Sequence, residues 1–122
     1  MNYNDVLNRM AILMNPKYKE VASSIECTVF QNALRRSTKA VIAESKEILE
    51  AMNEMKPENL KNVKDKSKEQ LEADFKAFTA QPDVQKLLAI ESKIVLHTVK
   101  LSDLPTYLNG AQMDAVDWLL EE

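Results

Sequence analysis

His97 and Cys27 are the chain's single histidine and single cysteine, the residues best suited to proton transfer or nucleophilic attack near neutral pH. The apolar pattern assigns them to different helices, so no base and nucleophile are paired. His97 falls on an apolar stripe near a predicted helix C-terminus, where the dipole mildly favours a cation, and it is expected as a structural histidine. Cys27, among Ile25, Val29 and Phe30, is expected as a small buried hydrophobe. A Glu-x-x-His metal pair needs a glutamate three residues before His97, and that place holds Ile94. Glu44, Glu47, Glu50 and Glu54 alternate with an apolar seam and read as solvated helix surface. Phosphate-cradling loops need several glycines within a few residues, and Gly110 is the only glycine in the chain. No catalytic, metal-ligating or cofactor-binding residue is nominated, and a non-enzymatic protein is expected.

Two other groups could bind a macromolecule. Lys61, Lys64 and Lys68 recur at i, i+3 and i+7, the spacing of a basic stripe that could meet phosphates. They lack interleaved aromatics and arginines in a chain of net charge −3. A solvated face is the first reading, and a nucleic-acid-associated regulator is the alternative. The second group is C-terminal: Asp103, Asp114, Asp117, Glu121 and Glu122 lie between Leu101 and the last residue, with no lysine or arginine. Leu101 to Leu119 has the outline of a helix-turn-helix, with Thr106 at a small-residue position, Gly110 in the turn, and Val116 and Leu119 inward. Its acids would repel the phosphates a recognition helix must neutralise, so DNA reading is rejected. Trp118 and Leu120, flanked by Asp114 and Asp117, suit docking into an apolar, basic-rimmed groove of another protein. Closing the bundle is the competing role for that helix.

These residues must be held by helices. A single glycine argues against tight hairpins and for helices with short connections. Asn4 is expected to cap a first helix from Asp5 to Met14, with Val6, Leu7, Met10 and Met14 inward. Asn15-Pro16 closes it and can open the next. After Pro16, as far as Met55, there is neither glycine nor proline, and Leu34, Val41, Ile48 and Met55 recur every seven residues, as in a bundle or coiled-coil seam. One unbroken helix there would measure about 60 Å, against a radius of gyration of about 14 Å for a chain of this size. Either a break falls near the capping-box pattern Ser23-Ser24-Ile25-Glu26, or the molecule is elongated and packs against a second copy or another protein.

Pro57 ends that helix, and a third long helix is expected from about Glu58 to Ala80, with Leu60, Val63, Leu71, Phe75 and Phe78 on one face. After Gln81-Pro82-Asp83, the stripes Val84, Leu87, Leu88, Glu91, Ile94, Val95 and Ile90, Ile94, His97, Leu101 predict a helix at the centre of the bundle. Ser102 to Leu108 reads as a short helix or turn, and Asn109 caps the last helix with Gln112 reciprocating.

With 122 residues, 45% hydrophobic and 29% charged, the chain is expected to fold as one domain, residues 1–122. A lone cysteine excludes an internal disulfide and fits a reducing cytoplasm, and no secretory core or membrane span is legible. The runs Asn15-Pro-Lys-Tyr-Lys-Glu-Val21 and Asp83-Val-Gln-Lys-Leu-Leu88 resemble segments of small helical bacterial regulators of the YlbF–YmcA type. No residue role is transferred from them, and the acidic last helix departs from that pattern. The expectation is an all-α bundle of about five helices, one or two of them long. It would act as a protein–protein adaptor, regulator, inhibitor or assembly factor of bacterial or phage origin, with homo-oligomerisation through the seven-residue seam.

Overall fold

Helix boundaries follow the side chains that can satisfy the first free N–H groups. In the computed structural model, which describes residues 1–56 and 66–121, the first helix, α1, spans Tyr3–Met14. Asn2 caps it, two residues before the expected Asn4. Asn2 Oδ1 accepts from the Asp5 N–H at 2.8 Å and Asp5 Oδ2 accepts from the Asn2 N–H at 3.0 Å, a reciprocal capping box. Asn15 closes α1 and opens α2, Pro16–Ser23, accepting from the Lys17 N–H at 2.9 Å, with Pro16 in the first turn as expected.

The chain then breaks. The Ser23 and Ser24 hydroxyls donate back to the carbonyls of Glu20 and Val21 at 3.0 and 2.6 Å, so Ser23 makes no capping box. Gln31 bridges the gap, its Nε2 donating to the carbonyls of Ala22 and Ile25 at 2.9 Å each. The long helix α3, Thr28–Met55, runs for 28 residues and is the axis of the fold.

Among the described residues, four further elements follow: α4, Lys68–Thr79, capped by Ser67; α5, Pro82–Leu88; a 3₁₀ turn, Leu101–Asp103; and α6, Gly110–Asp117. The Asn109 and Gln112 side chains form the expected reciprocal cap on α6 at 2.8 and 3.0 Å. The fold is thus the all-α bundle expected, with one long helix among the described residues. The expected start of the third long helix near Glu58, with Leu60 and Val63, lies outside the described residues. Among those described, no helix is long and apolar enough to cross a membrane.

Two apolar clusters share α3. Val6 and Leu13 from α1 meet Val41, Ile48 and Met52 from α3, Phe78 from α4, and Val84 and Leu88 from α5. Ile25, Phe30 and Ala33 meet Val99, Leu104, Ala115, Val116 and Leu119. The seven-residue seam is therefore largely used within the chain: Val41 and Ile48 are buried, Leu34 is half-buried, and only the terminal Met55 is exposed.

The expected central helix through Leu101 does not form. The α5 helix ends at Leu88, and the residues after it run without a helical turn between two isolated bridges, Asn2 with Glu91 (antiparallel) and Val99 with Leu120 (parallel). Here the period is two: Ser92, Ile94 and Leu96 are half-buried while Lys93, Val95 and His97 are exposed. Buried Ser37 anchors this segment to α3. Its hydroxyl accepts from the His97 N–H at 2.8 Å and donates to the His97 carbonyl at 3.2 Å, and Ser92 Oγ donates to Glu44 Oε2 at 2.8 Å. The physical reason is local. Ile94, Val95, Thr98 and Val99 are β-branched and stiff at χ1, which favours extended backbone when tertiary partners are on offer.

Candidate functional site

The acidic last helix turns its apolar side inward. Ala115, Val116 and Leu119 are buried, Leu120 is half-buried against the second cluster, and Asp114 and Asp117 are exposed. Trp118 is half-buried and has two partners, Tyr18 and Arg9. Its Nε1–H donates to Tyr18 Oη at 2.9 Å, Tyr18 Oη donates to the Ala115 carbonyl at 2.9 Å, and the Arg9 guanidinium carbon sits 4.7 Å from the indole centroid. Burial pushes the Tyr18 phenol above its ordinary pKa, partly opposed by the Trp118 hydrogen bond and the nearby Arg9 charge. Of the four residues nominated for partner binding, Asp114 and Asp117 are thus presented to solvent, whereas Trp118 and Leu120 close the bundle.

The basic face is not assembled among the described residues. Lys61 and Lys64 lie outside them, and Lys68 is exposed at the first position of α4. Nearby, Lys66 Nζ lies 2.8 Å from Asp74 Oδ2 and holds that carboxyl below the ordinary aspartate range, chiefly through this hydrogen bond.

His97 is exposed on the extended segment rather than packed on a helical stripe. Cys27 is half-buried at the N-terminal end of α3, its thiol donating to the Asp103 carbonyl at 3.3 Å, while its expected neighbour Val29 is exposed. Among the described residues, no three His, Cys, Asp or Glu side chains are grouped to hold a metal ion.

A surface that sequence reasoning missed lies between α1, α3, α4 and α5. It is a groove with a cavity of about 570 Å³, walled chiefly by Leu7, Met10, Met14, Leu49, Met52 and Phe75, and none of its lining residues carries a charge. Leu49 is 45% exposed and Phe75 50%, high values for large apolar side chains that line one groove. Met10, Met14 and Phe75 were expected to face the core. Met10 is half-buried against it, but α1 buries Val6 and Leu13 and α4 buries Phe78, which leaves Met14 and Phe75 exposed. The available signal was surplus on α3, where the adjacent Ile48 and Leu49 cannot both lie on one helical stripe.

A second cavity, of about 440 Å³, lies beside the acidic helix and is lined by Arg9, Lys17, Tyr18 and Asp114 over an apolar floor. Comparison with protein-family models, with curated proteins and with solved structures finds no match for the chain.

Proposed function

We propose that this protein is a non-catalytic binding module that receives an amphipathic helix of another protein in the groove between α1, α3, α4 and α5. The observation that carries the reading is the uncharged, methionine-rich lining, with Leu49 and Phe75 exposed in it. Methionine side chains are unbranched and polarizable, so Met10, Met14 and Met52 can adjust to an incoming apolar surface.

The walls select the form of the occupant. They are helices whose backbone groups are already bonded within each helix, so they offer no ladder to an extended peptide. A segment that buries itself there must satisfy its own backbone, which a helix does. Apolar anchors at i, i+3, i+4 and i+7 match a groove of this kind, and the missing charge in the lining excludes an anchor that is itself ionised.

The test is selection from a library of helical peptides on the pure protein, followed by Leu49→Glu and Phe75→Glu. Both residues are exposed enough for the variants to fold. Recovered peptides should share the helical apolar spacing, and each substitution should weaken binding by about tenfold or more, as for the loss of a central anchor. Recovery of no peptide, or of peptides indifferent to both substitutions, overturns the proposal. Salt-sensitive retention on heparin, abolished by neutralising Lys61, Lys64 and Lys68, would favour the nucleic-acid reading instead.

A further inference from the structure

Among the described residues, Arg9 makes no ion pair. Its Nε is buried and has no hydrogen-bond partner, and among the described residues no carboxylate pairs with its guanidinium. The indole face of Trp118 lies against its guanidinium, which holds the planar cation in place from one side. Arg9 also lines the cavity of about 440 Å³ in which Lys17 supplies a second cation, itself without an ion pair among the described residues. Opposite in charge is Asp114, exposed and likewise unpaired, so these three side chains leave the cavity one net positive charge. The remaining wall is largely apolar, with Ile12, Val21 and Ala115.

We infer that this cavity binds an aliphatic monocarboxylate, its head on Arg9 and Lys17 and its chain against Ile12, Val21 and Ala115. A guanidinium fork matches a carboxylate bidentately. The cavity volume lies within the range of small-molecule sites. One net positive charge, with Asp114 in the lining, favours a monoanion over a dianion such as phosphate. The site shares no residue with the groove proposed above, so either reading can fail while the other stands.

Trp118 is the only tryptophan in the chain and touches Arg9, so its fluorescence reports on the site. The experiment titrates the intact protein with hexanoate, acetate and inorganic phosphate at constant ionic strength, with ligand-observed NMR as a second readout. Hexanoate should saturate at a concentration about tenfold or more below acetate, because four extra methylenes enter the apolar part, and below phosphate. Lys17→Glu should weaken hexanoate binding by about threefold or more and Asp114→Asn should strengthen it by about twofold. Arg9→Leu should abolish it. Lys17 and Asp114 are exposed, so if the Arg9 variant fails to fold those two substitutions decide. Absence of saturation by both readouts, equal affinity for hexanoate and acetate, or affinity unmoved by both exposed substitutions overturns the inference.

Discussion

Ser37 and Ser45 stand two turns apart on α3, both fully buried, and alanine at each should move stability in opposite directions. Ser37 spends its hydroxyl on the His97 backbone, with bonds of 2.8 and 3.2 Å. Each such bond contributes about 0.5–1.5 kcal/mol net, and its removal leaves an N–H and a carbonyl without their protein partner. Against this, alanine gains up to about 0.5 kcal/mol in helix propensity over serine. Ser37→Ala should therefore destabilise by about 1–2 kcal/mol, a fall in Tm of about 3–8 °C for a chain this size. Ser45 Oγ, by contrast, is buried with no partner. Alanine there removes a desolvated, unbonded hydroxyl and gains the same propensity, so Ser45→Ala should stabilise by about 0.5–1.5 kcal/mol. Urea denaturation followed by circular dichroism, with unchanged m values, measures both. Hydrogen exchange at the His97 amide should accelerate in Ser37→Ala alone. Two substitutions of the same sign, or an unaltered His97 amide, would refute the assignment of the extended segment to Ser37.

Tyr18, whose phenol burial holds neutral, contributes stability that is complete below the unfolded tyrosine pKa of about 10 and is lost as pH rises through its higher folded value. The Tyr18→Phe variant should lose about 1–3 kcal/mol at neutral pH, and its stability should fall less steeply than wild type in alkaline denaturation. Asp74 has the reverse sign: its lowered pKa, set first by the Lys66 hydrogen bond, gives stability present above the unfolded aspartate pKa and lost as pH falls through the folded one. A Lys66→Met variant should raise the Asp74 titration midpoint in carboxyl-detected NMR, and an unmoved midpoint would remove Lys66 as the cause.

Legibility followed the range of the interaction that decides each element. Asn15-Pro16 and Asn109 with Gln112 act within three residues, and both formed as the sequence implied. The break after Ser23 was visible as a length conflict, yet its stabiliser, Gln31 reaching back to Ala22 and Ile25, was not. Residues 89–100 were misread because Ile90, Ile94, His97 and Leu101 fit a helical period, while the density of β-branched residues at 94–99 pointed to extended chain. The Arg9–Trp118–Tyr18 cluster depends on residues up to 109 apart, and no local pattern announces it. The groove was hidden for a different reason: periodicity marks which residues are apolar, and packing decides which of them stay uncovered.

The extended segment at 91–99 bears on how the protein reaches this state. At one end it pairs with Asn2 and at the other with Leu120, while Ser37 holds its middle. Helix content alone would place the chain among rapid folders dominated by local contacts, yet these pairings span 89, 60 and 21 positions. A ribosome delivering the chain from its first residue exposes Phe30 and Ala33 well before Val99, Val116 and Leu119 arrive to cover them. Synthesis rate, and any chaperone that shields α3 meanwhile, should therefore govern the yield of native protein more strongly than in a bundle assembled from neighbouring hairpins.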